Sequence, residues 1–149
     1  MEIIKTPIKD LVVIKPRVFA DARGFFFETY NEERYRKAGI TQQFVQDNMS
    51  KSSYGVVRGL HFQRPPYSQA KLVQVIEGAV LDVAVDLRSD SETYGQWYAV
   101  ELTAENHLQF LIPRGFAHGF AVLSETAIFS YKCDNFYHPE AHGGVIYND

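Results

Sequence analysis

Two histidines, a lysine and a tyrosine stand in apolar, strand-like surroundings: His61 in VRGLHFQ, Lys71 in QAKLVQV, His118 in IPRGFAHGFAV and Tyr131 in FSYKC. Arg23 and Glu28 in DARGFFFETYN, Gln46 and Asn48 in FVQDNMS, and Arg58 and Gln63 beside His61 add polar groups in similar settings. An imidazole exchanges its proton near neutrality and so suits a base. An ammonium suits the stabilisation of developing negative charge, and a phenol can donate a proton. Each residue also has an ordinary structural use. A strand histidine is commonly a hydrogen-bonded structural residue, Lys71 can be an edge lysine in solvent, Tyr131 a packed aromatic, and His118 a turn histidine between Gly115 and Gly119.

Strand alternation separates these uses. Gly59, His61 and Gln63 share one face, while Arg58, Leu60 and Phe62 share the other. Lys71 falls with Val73 and Val75, and Tyr131 falls with Phe129, so each reaches toward an apolar side where it needs a partner. In LDVAVDLR, Asp82, Ala84 and Asp86 oppose Leu81, Val83, Val85 and Leu87. That polar face looks either at solvent or into a polar cavity. A metal centre would need three or four clustered His, Asp, Glu or Cys ligands, often starting as His-x-His on a strand. HFQ offers glutamine at the second position and Lys71 brings a positive charge, so no metal is expected.

The elements that must carry these groups are strands. DLVVIKPRVF, KLVQVIEGAVLDVAVDLR, GQWYAVELT, LQFLIP, GFAVLS and TAIFSYKC are rich in β-branched and aromatic residues and bounded by Gly, Pro, Ser or Asn. Glu77-Gly78 reads as a hairpin between KLVQVI and AVLDVAV, and Leu123 to Thr126 as another turn. One short helix is expected near residues 31-38, within NEERYRKAGI. The 149 residues suit one domain, 1-149, with one core. Many short strands and one helix point to a sandwich, jelly roll or barrel.

Composition narrows the partners. A net charge of −3 and the lack of a basic run remove the general attraction for nucleic acid, although a local cationic patch for a small anion remains open. The N-terminal stretch EIIKTPIKDLVVI is interrupted by Glu2, Lys5, Lys9 and Asp10, so neither a signal core nor a membrane span is expected. Cys133 has no second cysteine to pair with, which fits a reducing cytoplasm.

From Val18 to Asp149 the chain resembles the dTDP-4-dehydrorhamnose 3,5-epimerase family, metal-independent members of the cupin superfamily. The resemblance is carried in order by DARGFFFETYN, FVQDNMSKS, VRGLHFQ, AKLVQVIEGAVLDVAVDLR, LTAEN, IPRGFAHGF, FSYKCDNFY and IYND. It implies an all-β jelly-roll barrel, no cofactor, and inversion at C3 and C5 of a dTDP-linked 4-keto-6-deoxyhexose on the way to activated L-rhamnose. By resemblance His61 is the base, Tyr131 the acid on the opposite face, and Lys71 the cation near the C4 oxygen. Arg23, Arg58 and His118 match positions that bind the nucleotide sugar; Glu28, Gln46 and Asn48 match further ligand positions; Tyr137 matches an aromatic that stacks on thymine. The family's RGFFFE-like segment reaches a neighbouring subunit's site, which implies a homodimer and accounts for Phe25 to Phe27.

The resemblance also carries differences. Family chains continue beyond the position of Asp149 and supply an aspartate that orients the catalytic histidine. Three explanations compete for this difference: a truncated gene product, a short member with altered activity, or another carboxylate that substitutes. Asp82 is the candidate substitute, because the expected Glu77-Gly78 hairpin sets its strand beside that of Lys71; the same pairing makes it a candidate partner for Lys71. Met49 stands where the family often has histidine, and His142 near the place of a nucleotide-contacting glutamate. Two other readings stay open: a nucleotide-sugar binding or regulatory module without turnover, and a metal-dependent cupin oxygenase or isomerase.

Overall fold

Proline and glycine cut the chain into short strands, and the computed structural model describes them over residues 1–145. The stretch expected as one strand around Pro16 is two, β2 (Val12–Lys15) and β3 (Phe19–Asp21), since proline has no N–H for the ladder. The first strand, β1 (Glu2–Lys5), precedes them, and β4 (Gly24–Phe26) folds back on β3 as a fully exposed two-stranded ribbon. Helix α1 spans Glu32–Lys37. Asn31 caps it by accepting a hydrogen bond from the Arg34 N–H at 3.1 Å, and Glu32 and Glu33 oppose the positive end of its dipole.

The remaining strands are β5 (Gln46–Ser53), β6 (Val57–Gln63), β7 (Lys71–Glu77), β8 (Ala79–Asp86), β9 (Trp97–Thr103), β10 (Gln109–Ile112), β11 (Phe116–Val122), β12 (Thr126–Cys133) and β13 (His142–Gly144). They form a six-stranded sheet in the order β1-β2-β10-β7-β12-β5 and a five-stranded sheet in the order β13-β6-β11-β8-β9. Two antiparallel sheets closed over one core make the expected all-β jelly-roll barrel. Val73, Phe110 and Phe129 from the first sheet meet Val80, Leu102 and Phe120 from the second. A smaller cluster, Ile14, Tyr35, Ile40, Leu72 and Leu111, fixes α1 to the outer side of the six-stranded sheet.

One expectation fails here, and the failure matters for the site. Glu77-Gly78 is not a hairpin: β7 pairs with β10 and β12, whereas β8 pairs with β11 and β9 in the other sheet. Gly78, at φ +83°, carries the chain from one sheet to the other, and a Cβ there would collide with the Thr126 carbonyl and the Ser124 hydroxyl. The Leu123 to Thr126 turn makes a second crossing, from β11 to β12. The consecutive strands β7 and β8, and β11 and β12, therefore lie in opposite sheets of the barrel. The face of β8 bearing Asp82, Ala84 and Asp86 points inward and is buried, while Leu81 on the other face is 39% exposed.

Candidate active site

The crossings place one half of the site on each sheet. His61 lies on β6 and His118 on β11, backbone partners in the five-stranded sheet. Lys71 lies on β7 and Tyr131 on β12, neighbours in the six-stranded sheet. All four line one pocket of about 200 Å³ together with Asn48, Met49, Ser50, Arg58, Gly119, Phe120 and Phe129. The imidazole and the phenol thus approach the same space from opposite walls. Phe129, stacked on Phe120 at 4.2 Å between ring centroids, supplies an apolar surface beside Tyr131.

Arg58 reaches this pocket against strict alternation, which had set it on the face opposite His61. The reason is a register shift in the β6–β11 ladder between His118 and Phe120. Gly59 and Gly119 touch there: a Cβ on Gly59 would lie 2.6 Å from the Gly119 Cα, and one on Gly119 would lie 2.6 Å from the Arg58 carbonyl oxygen. Two glycines let the strands close at an irregularity, and the irregularity turns Arg58 inward. Its Nε donates to the Ser52 hydroxyl at 2.8 Å.

Burial and neighbouring charge tune the ionisable groups. Burial lowers the proton affinity of His61, and His142, Lys71 and His118 lower it further. Burial likewise lowers that of the Lys71 ammonium, with Cys133 and Asp82 acting the other way. Its Nζ sits 5.4 Å from the centre of the Tyr131 ring. Burial raises the Tyr131 phenol, opposed by the Asn48 side chain, and pushes the Cys133 thiol up to about 11. The wall is therefore an imidazole, an ammonium and a phenol in a partly dry space, where electrostatic effects are stronger than in water.

Asp82 corrects a further expectation. It backs neither His61 nor Lys71 through a hydrogen bond; both its oxygens lie within 2.9 Å of His118 Nε2. The lost hairpin is the cause, since β8 lies beside β11 rather than β7 and register sets Asp82 opposite Phe120. Burial raises the Asp82 carboxyl, while His118 and Lys71 pull it down. Among the described residues, carboxylate–histidine pairs are Asp82–His118 and Glu140–His138, so His61 has no such partner there. The IYND block and Asp149 lie outside the described residues. No three of His, Cys, Asp and Glu group as metal ligands among the described residues.

The other expected site residues divide. Asn48 lines the pocket, and Gln46 donates to its Oδ1 at 3.1 Å while accepting from the Tyr137 N–H at 3.2 Å. Tyr137 is an exposed ring beside His142. Arg23 and Glu28 are not brought to the pocket: Arg23 pairs with Asp21 at 2.7 Å in the exposed ribbon, and Glu28 pairs with Arg34 at 2.7 Å. Glu28 instead borders a larger hollow of about 530 Å³ at the N-terminal ribbon, which contains no histidine or lysine. Gln63 is buried and structural, its side chain binding the backbone of Tyr67, Phe136 and His138. Sequence reasoning missed Ser50 and Phe120 as lining residues, although alternation from Asn48 would have found Ser50.

The dTDP-4-dehydrorhamnose 3,5-epimerase family model matches residues 5–149. The enzyme of that name from Escherichia coli is 52% identical over 150 residues, covering 100% of this chain and 81% of the relative. A crystal structure of the Elizabethkingia anophelis enzyme of that name superposes with a TM-score of 0.95 at 61% identity, covering 100% of this chain and 82% of that one. A dTDP-6-deoxy-D-glucose-3,5-epimerase from Legionella pneumophila, solved with dTDP-4-keto-L-rhamnose, superposes at 0.94 with 52% identity, covering 98% and 78%. A barrel with an imidazole and a phenol on facing sheets, matched along nearly its whole length, places this chain in the dTDP-4-dehydrorhamnose 3,5-epimerase family.

Proposed function

We propose that the chain inverts C3 and C5 of a dTDP-linked 4-keto-6-deoxyhexose, with His61 as base, Tyr131 as acid and Lys71 as the partner of the C4 oxygen. The ketone acidifies the neighbouring C–H bonds. His61 takes the proton from carbon, the electron pair moves into an enolate whose charge builds on the C4 oxygen, and Lys71 stabilises that charge. Tyr131 then delivers its proton to the opposite face of the same carbon. Solvent exchange resets the imidazolium and phenolate, and the second centre follows by the same steps. The observation that carries this reading is the placement of His61 and Tyr131 on different sheets around one pocket, with Lys71 beside the phenol.

Arg58 and His118 add cationic or hydrogen-bonding contacts for the diphosphate, and Asn48 adds an amide backed by Gln46, with the exposed Tyr137 joined to Gln46 as the platform for thymine. Arg23 and Glu28 serve a neighbouring copy: they sit beside Phe25 and Phe26, which are 62% and 69% exposed, the burial pattern of a ribbon that finishes folding in a homodimer. Residues 1-149 act as one domain, and the nucleotide-sugar substrate places the work in the cytoplasm. No described helix is long and apolar enough to cross a membrane.

Reaction in heavy water followed by mass spectrometry of the sugar tests the reading. Deuterium is expected at C3 and C5, and its absence at both would remove the proposal. His61→Asn is expected to slow incorporation by about 10²- to 10⁴-fold. Tyr131→Phe is expected to retain exchange while losing inversion.

A further inference from the structure

Strand β13 brings a second imidazole onto the base, and none of the roles above uses it. The ring of His142 lies 4.9 Å from that of His61, centroid to centroid, with the planes tilted by 41°. Register puts His142 opposite Gln63 and Gly144 opposite His61, so the two rings are diagonal neighbours on adjacent strands. The approach is built into the backbone. A Cβ on Gly143 would lie 2.6 Å from the Phe62 ring, and the Val145 N–H donates to the Leu60 carbonyl at 2.9 Å. Arg64 also donates to the His142 carbonyl at 3.2 Å.

We propose that His142 is a positioning residue for the His61 base: its ring holds the imidazole toward the pocket and keeps it in the unprotonated form that can accept a carbon-bound proton. This rests on the assignment of His61 as the base. Two imidazoles in contact resist carrying two positive charges, so the nearby His142 ring favours the neutral form of His61. The charged and titratable surroundings of His61 reinforce the effect. Arg58 stands on its own strand, His118 on β11, Lys71 on β7 and Tyr131 on β12. Asp82, on β8, is committed to His118, and Glu140, on the turn before β13, is bonded by His138 at 3.0 Å. Nearby cations thus act on a histidine for which no described carboxylate compensates.

The test reads His61 directly and does not need turnover. Its ring-proton resonance, assigned by its loss in His61→Asn, is titrated by NMR in the parent protein, in His142→Gln and in His142→Glu. The midpoint is expected to move to higher pH in His142→Gln and further in His142→Glu, where a carboxylate replaces the imidazole. In parallel, the ratio of kcat/KM at pH 6 to that at pH 8 is expected to fall about threefold in His142→Gln, because the base is lost to protonation earlier on the acid side. Unmoved or lowered midpoints in both variants would overturn the inference. A parent protein that shows no deuterium incorporation while its midpoints shift as expected would instead overturn the assignment of the base.

Discussion

Asp82 and Asp86 sit four residues apart on the same face of β8, both fully buried, and the barrel uses them in opposite ways. Asp86 is surrounded by donors: Arg88 gives it its backbone N–H, Nε and Nη2, each at 3.0 Å, and Ser91 and Thr93 each give a hydroxyl at 2.6 Å. Burial alone would raise that carboxyl, but these donors hold it well below the usual carboxylate range. Asp82 has the single imidazole of His118, and there burial prevails and the carboxyl is raised. Alternation puts both on one face and the barrel turns that face inward; the number of donors decides which becomes a fixed structural anion and which is left with a raised carboxyl.

Removing the Asp86 charge should be the most costly way to probe this contrast. Asp86→Asn leaves two hydroxyls without their anion and Arg88 with only the exposed Asp10 carboxylate at 3.2 Å, and should destabilise by about 3 kcal/mol, a fall in Tm of roughly 6–12 °C. Calorimetry checks this, and a Tm within a degree of the parent would contradict the role given to the network. Asp82→Asn should do the reverse. It should lower kcat by about tenfold through the orientation of His118, while Tm stays level or rises because a buried charge has been replaced by an amide. A lowered Tm with unchanged kcat would make the Asp82–His118 pair merely structural.

The smallest effect, about 1 kcal/mol, is the dependence of stability on pH, and its sign differs between the two residues. Asp86 has a depressed folded-state affinity, so its contribution is complete above the ordinary value of 3.8 and is lost as pH falls through the folded value. Asp82 has a raised one, so its contribution is complete below 3.8 and is lost as pH rises through the folded value. Urea unfolding between about pH 3 and pH 6 should therefore show a shallower acid loss in Asp86→Asn and a gain over the parent toward pH 6 in Asp82→Asn. Parallel curves in all three proteins would remove the distinction.

Much of the site was legible because period-two alternation depends on the residues of one strand alone. It aimed Lys71 with Val73, Tyr131 with Phe129, and Asp82 with Asp86, and the structure places all of them inward. It failed wherever a second strand intervened. Arg58 turned toward the pocket because Gly59 meets Gly119, from a part of the chain 60 residues away. Asp82 met His118 because Gly78 carries the chain between sheets, a geometry that Glu-Gly in sequence shares with an ordinary hairpin turn.

The sequence by itself determined the strand-rich character of the chain, one short helix near residues 31-38, which residues share a strand face, and the family. These follow from local propensity, alternation and an ordered set of matching blocks. Only the tertiary structure decided which strands face each other, that His61 and Tyr131 approach one pocket from opposite walls, that His142 packs against His61, and that Asp82 serves His118. Those relations depend on where glycines permit backbones to touch or cross, and that is fixed by contacts between residues far apart in the chain.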